Sequence, residues 1–252
     1  MNNGYVTTNI ENGVAHVTFF HPQSNSLPGE ILSQLAQAIE TAGKNESAKV
    51  IVLRSAGDKA FCAGASFDEL VSISDFETGK KFFSGFANVI NAMRLAPKFV
   101  IARVQGKAVG GGVGLACAAD YTFATEAAAV KLSELAVGIG PFVVGPAVER
   151  KVGTAAFNQL TINASAWQNA YWAKDKGMFV EVYKTINEMD KAIDELTGIL
   201  SASNPEAMML LKKVFWEGTE NWNTLLFERA AMSGKLVLSD FTRNAIAKFK
   251  AK

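Results

Sequence analysis

Residues 104–125 read VQGKAVGGGVGLACAADYTFAT, and the order of residue types in this stretch decides the fold class. The preceding run KFVIARV (98–104) is continuously apolar near its end, the pattern of a strand buried on both faces. It delivers the chain into Gly110, Gly111 and Gly112, which open the segment VGLACAA. That segment has no polar face, so as a helix it must be buried on nearly every side. The same order occurs earlier: KVIVLRS (49–55) leads into the loop AGDKAFCAGASF (56–67) and then into SFDEL, where Ser66 or Asp68 is placed to cap a short helix. Strand, small-residue loop and helix, used twice, predict an α/β core.

The rest of the chain fits around this unit. YVTTNI (5–10) and VAHVTFF (14–20) are β-prone runs joined through Asn12-Gly13, which suits a type I′ hairpin turn. HPQSNSLP (21–28) breaks the pattern. After it, Ser26 as N-cap and Pro28 in the first turn predict a helix with the stripe Ile31, Leu35, Ala38 and Ile39. A helix is expected over 75–94, strands at DYTFA (120–124) and AVKL (129–132), and mostly helix from about residue 191. No linker-like tract separates these parts. The expected division is a core over residues 1–195 and a helical region over 196–252, in which Phe215, Trp216, Trp222 and Phe227 fill either a core or a subunit seam.

Composition removes several classes of function. The 252 residues are 49% hydrophobic and 19% charged, too apolar for a disordered chain. With 25 Lys and Arg against 24 Asp and Glu, the net charge of +1 gives no field for nucleic acid or an anionic membrane. The two histidines, His16 and His21, and the isolated Cys62 and Cys117 make neither a zinc ligand set nor a redox pair. No apolar run is long enough to span a bilayer, and the start MNNGYVTTN has no secretory pattern. The expectation is a metal-free, soluble, cytoplasmic protein.

At a strand-to-helix junction the first backbone N–H groups have no intrahelical acceptor and carry the positive end of the helix dipole. Both small-residue loops are therefore candidate cradles for an anion or a developing oxyanion. A dinucleotide fingerprint does not fit, because Gly112 and Gly114 are followed by Cys117 and the position 20 beyond Gly110 is Val130. A nucleophile elbow does not fit either: Gly64-Ala65-Ser66-Phe67-Asp68 lacks its last glycine, and no histidine follows His21.

KAFCAGASFDEL and VQGKAVGGGVGLACAADYTFAT resemble the two signatures of the crotonase (enoyl-CoA hydratase/isomerase) superfamily. HPQSNSLP, SELAVGIGP and the tail SDFTRNAIAKFKAK resemble further segments of that family, so the likeness spans nearly the whole chain. The resemblance implies a crotonase-like spiral of ββα repeats with a helical C-terminal trimerisation region, assembled as a homotrimer or a dimer of trimers. It implies acyl-CoA thioester substrates, with coenzyme A as part of the substrate and no bound cofactor. By motif position, Ala65 and Gly111 would supply two oxyanion-hole N–H groups and Glu134 would be the catalytic carboxylate. Burial among Leu132, Leu135, Val137 and Ile139 would raise the pKa of Glu134. Ser24, Ser26, Ala63, Ser66, Phe67 and Gly112 would contact substrate, and Lys59, Lys248, Lys250 or Lys252 would meet phosphate.

One position departs from the family pattern. Hydratases of the family carry a second glutamate two residues after the third glycine, where this chain has Gly114. Loss of one positioned acid/base group costs about 10²–10⁴-fold. A double-bond shift needs only one base, and enoyl-CoA isomerases of the family resemble the present pattern, including Pro141-Phe142. The leading expectation is an isomerase acting through Glu134. The alternatives are a hydratase recruiting Asp68, Glu69, Asp75 or Glu77, another crotonase chemistry such as decarboxylation, and an acyl-CoA-binding oligomer with impaired catalysis.

Overall fold

In the computed structural model, which describes residues 4–250, β1 (Tyr5–Glu11) and β2 (Val14–Phe20) form an antiparallel hairpin. Its turn residues Asn12 and Gly13 have φ of 50° and 82°, as a type I′ turn requires. The helix α1 (Gly29–Lys44) returns the chain to β3 (Val50–Ser55), parallel to β2. Next come α2 (Phe67–Ser72), α3 (Phe76–Leu95) and β4 (Val100–Val104). The glycine-rich stretch supplies β5 (Ala108–Val109), α4 (Gly111–Ala118) and β6 (Tyr121–Thr125). After β7 (Ala129–Lys131) and a 3-10 turn (Glu134–Val137) come α5 (Gly145–Ile162), β8 (Gln168–Asn169), α6 (Ala170–Asp175) and β9 (Glu181–Tyr183). The helices α7 (Ile186–Ser201), α8 (Pro205–Phe215), α9 (Trp222–Leu236) and α10 (Asp240–Lys250) complete the chain.

Strands β1-β2-β3-β4-β6-β9 form one sheet, parallel apart from the hairpin, and β5-β7-β8 form a small second sheet. The main core lies between the large sheet and α1, α3 and α4. All eight residues of α4 are buried, as its lack of a polar face demands. The other face of the large sheet is covered by α7, where Met189 and Ile193 pack on Val50, Val52 and Ile101. The division expected after residue 195 thus falls inside a helix that belongs to the sheet. Further on, α9 packs along α3 so closely that a Cβ on Gly79 would lie 3.0 Å from Gly234 Cα. Trp216 and Trp222 are core residues, whereas Phe215 is exposed and stacks on Phe99.

Asp120 ties α8 to the sheet. One carboxylate oxygen accepts from Trp216 Nε1 at 2.8 Å; the other takes Lys212 Nζ at 2.5 Å and the Val100 N–H at 2.7 Å. Both members of this ion pair are buried, so each depends on the other for compensation.

One cap differs from expectation. Pro28, not Ser26, occupies the N-cap of α1 and offers no side-chain acceptor. Instead the Gly29 N–H donates to Glu69 Oε2 at 2.8 Å, so α2 caps α1 through space. Ser66 does cap α2, accepting from the Glu69 N–H.

Candidate active site

The two small-residue loops meet. Cys62 pairs with Ala108 and Leu27 with Ala65 as isolated bridges, laying residues 61–65 beside β5. Glycine permits this contact: a Cβ on Gly106 would fall 1.7 Å from Lys59 O, and one on Gly112 would fall 2.5 Å from Cys62 O. Gln105 and Asn25 fasten the loop from below. Gln105 Nε2 donates to Ser55 Oγ at 2.8 Å, and Asn25 Nδ2 donates to the carbonyls of Ala56 and Ala60 at 3.0 and 2.9 Å.

Two backbone donors are left over by this arrangement. Leu27 bonds to Gly64 O and Ser66 N on either side of Ala65, which turns the Ala65 N–H the other way. Gly111 is the first residue of α4, and Gly110 before it is held at φ 52° with its own N–H on Lys131 O. Neither the Ala65 nor the Gly111 N–H has an acceptor among the described residues. Gly64, at φ 92°, brings the loops so close that its Cβ would lie 3.7 Å from Gly111 N.

Both loops border a cavity of about 700 Å³. Much of its lining is apolar and includes Phe82, Phe83 and Phe86 from α3 together with Val137, Ile139 and Phe142. Ser233 of α9 also reaches it, and Ile73, Phe82, Ile139 and Val237 pack together behind it. Glu134 opens the 3-10 turn and projects against Gly110, whose Cβ would lie 2.9 Å from Glu134 Oε1. The residue is half-buried, but Oε2 is shut off from solvent and has no hydrogen-bond partner among the described residues. Burial raises the pKa of this carboxylate to about 7, with its own backbone N–H pulling weakly the other way. Donors facing an apolar chamber beside a desolvated carboxylate can hold an oxyanion and move a proton next to it.

Ser24, Ser26, Ala63, Ala65, Phe67, Gly111 and Glu134 all line the cavity. Ser66 and Gly112 do not. The Ser66 side chain is spent on the α2 cap, and the Cα of Gly112 faces the carbonyl of Cys62. Lys59 and Lys248 are exposed and line no part of it, while Lys252 and the side chain of Lys250 lie outside the described residues. Of the four alternative carboxylates, Glu69 caps α1, Asp75 caps α3 and Glu77 is an exposed residue of α3. Asp68 alone lines the cavity, at its exposed rim, where it accepts from Gln23 Nε2 at 2.9 Å. The side chain missing at Gly114 is replaced by Val144: a Cβ there would meet Val144 Cγ1 at 2.5 Å. The phenylalanines of α3 were not anticipated, although FF..F at 82, 83 and 86 has the spacing of one helix face.

The enoyl-CoA hydratase/isomerase family model matches residues 9–251. The chain belongs to this family. YngF of Bacillus subtilis strain 168, named as an enoyl-CoA hydratase/isomerase, is 31% identical over 211 residues, covering 82% of this chain and 79% of that one. The mitochondrial methylglutaconyl-CoA hydratase of Rattus norvegicus is 31% identical over 201 residues, covering 78% and 63%. The peroxisomal Delta(3,5)-Delta(2,4)-dienoyl-CoA isomerase of Arabidopsis thaliana is 26% identical over 231 residues, covering 85% and 81%. Among solved structures, an enoyl-CoA hydratase from Bacillus halodurans superposes with a TM-score of 0.89 at 20% identity, over 97% of this chain and 99% of that one. The fold is thus crotonase-like, and the chain is an enzyme of the acyl-CoA thioester class. No described helix of this family member is long and apolar enough to cross a membrane.

Proposed function

We propose that the protein is an enoyl-CoA isomerase that moves a double bond from C3 to C2 of an acyl thioester with Glu134 as its single acid/base group. The thioester oxygen would sit between the N–H groups of Ala65 and Gly111, with the acyl chain against the phenylalanines of α3. Glu134 removes a proton from C2, the two N–H groups hold the resulting dienolate oxygen, and the protonated Glu134 returns the proton to C4. One such donor is worth about 2.7–4 kcal/mol to a developing oxyanion. A carboxylate with a pKa of about 7 suits a group that must both take and give the same proton.

One observation carries this reading. Among the described residues, Glu134 is the one carboxylate on the cavity lining besides Asp68 at its exposed rim, and the volume beside Gly114 is filled by a valine methyl rather than a second acid. Ser24, Ser26, Ala63 and Phe67 at the rim would accept the carrier arm, and coenzyme A enters as part of the substrate. Asp68 supports the second reading, hydration, because it is the one other carboxylate on the lining. The names of the relatives include both reactions. The deciding experiment offers purified protein a 3-enoyl-CoA and, separately, crotonyl-CoA, with Glu134→Ala as control. Isomerisation of the first, lost in the variant, is the expected result; fast hydration of the second without isomerisation of the first overturns it.

The exposed apolar residues Leu210, Leu211, Val214 and Phe215 of α8 support a homotrimer or a dimer of trimers, which light scattering tests. A cytoplasmic location completes the reading and is tested by cell fractionation.

A further inference from the structure

We infer that Lys107, Lys131 and Trp167 form an anion subsite that selects acyl groups bearing a carboxylate at their far end, an inference that rests on the thioester reading above. The register of the small sheet puts these side chains on one face. Val109 pairs with Lys131, and β8 pairs with β7 through Val130 and Gln168, so Trp167 stands opposite Lys131. Lys107, two residues before Val109, shares that face. Val109 and Lys131 line the cavity, so the face is continuous with the candidate site.

The chemistry of the face is unusual for this molecule. Among the described residues, Lys131 is the single cation on a lining that is otherwise mostly apolar. Its ammonium lies 4.5 Å from the centre of the Trp167 ring, and that of Lys107 lies 5.0 Å from the same centre. Neither ammonium has a carboxylate partner among the described residues. The indole is 42% exposed. Two ammoniums drawn to one ring repel each other, and an anion between them would relieve that repulsion while making charge-assisted hydrogen bonds.

Position separates the acyl end of the substrate from its carrier. The Cys62–Ala108 bridge joins the Ala63 loop to β5, and β7 and β8 lie successively farther from that loop. A thioester whose carrier arm leaves along Ser24 and Ala63 therefore has Trp167 on the side of β5 away from that arm. The phenylalanines on the lining offer a carboxylate no partner, whereas Lys131 on the same lining offers an ammonium.

The test is a binding measurement with thioesters that hold no double bond: calorimetry of hexanoyl-CoA, its ω-carboxylated counterpart adipoyl-CoA, and free coenzyme A, at one fixed salt concentration. The wild-type protein should bind adipoyl-CoA about tenfold more tightly than hexanoyl-CoA, the scale of one charge-assisted hydrogen bond. In Lys107→Met/Lys131→Met, which keeps the apolar stems, that ratio should fall to about one. Three results overturn the inference: a wild-type ratio near one, a ratio that survives in the double variant, or an equal weakening of all three ligands, which would assign the ammoniums to the carrier phosphates. Turnover plays no part in these outcomes. A protein that discriminates in this way yet isomerises no enoyl thioester would keep the subsite and remove the isomerase reading.

Discussion

Gly110 Cα lies directly against the carboxylate of Glu134: a methyl group placed on it would stand 2.9 Å from Oε1. The same glycine is held at φ 52°, a conformation that side chains avoid. Gly110→Ala should therefore displace the carboxylate and strain the start of α4 together. We expect kcat on the 3-enoyl thioester to fall by at least about 10²-fold, the loss that a misplacement of about 1 Å produces. A steady-state assay measures it, and full activity would mean that Glu134 has no fixed position to lose.

Desolvation of Glu134 sets the direction of its pH dependence. A base must be ionised, so kcat/KM should rise with pH and level off above about 7. Stability should run the other way. The folded-state pKa lies above the ordinary value of 4.5, so the folded protein holds a proton that the unfolded chain has released between about pH 4.5 and 7. Folding stability is lost as pH rises through that window. Glu134→Gln removes the loss: it should abolish isomerisation yet raise stability at pH 8 by up to about 3 kcal/mol, with the gain gone at pH 4.5. Denaturant titrations at the two pH values check both halves.

Gly111 has no room for any side chain, and the obstacle is Phe86 rather than substrate. A Cβ at 111 would lie 2.2 Å from the ring. Gly111→Ala should cost about 1–3 kcal/mol through overpacking, and Phe86→Leu in the same chain should recover part of it. Thermal melts of the single and double variants decide the matter.

Supplying the absent carboxylate should fail for a steric reason. Gly114→Glu drives its Cβ into Val144, at 2.7 Å from Cβ and 2.5 Å from Cγ1. The single variant should gain no hydration of crotonyl-CoA and should lose stability. Gly114→Glu/Val144→Gly makes the space, and only there should hydration become measurable.

The parts of this molecule that were legible in the sequence share one cause. VIARV and VGLACAA are buried throughout and VIVLRS at every residue but Arg54, so burial wrote most of their composition. The hairpin was legible through Asn12-Gly13, a local turn requirement. The cap on α1 was hidden because its acceptor, Glu69, is 40 positions away from Gly29. Ser66 read as a cap or as a substrate contact for a different reason: its partner, the Glu69 N–H, is only three residues on, but one hydroxyl suits either use. Glu134 could be placed from its motif, but the burial of Oε2 without a hydrogen-bond partner depends on chain segments that no local pattern announces.

The contact between Gly79 and Gly234 joins residues far apart in the chain, and with it Ser233 reaches the cavity and Val237 packs with Phe82 and Ile139. During synthesis, both glycine loops and Glu134 are made long before Ser233 and Val237. A nascent chain that ends near residue 200 holds both loops, Glu134 and the phenylalanines of α3, but Phe82 there still lacks Val237, one of the side chains that pack with it. The last helices thus close the apolar cluster around Phe82 only after the polar half of the site has been made.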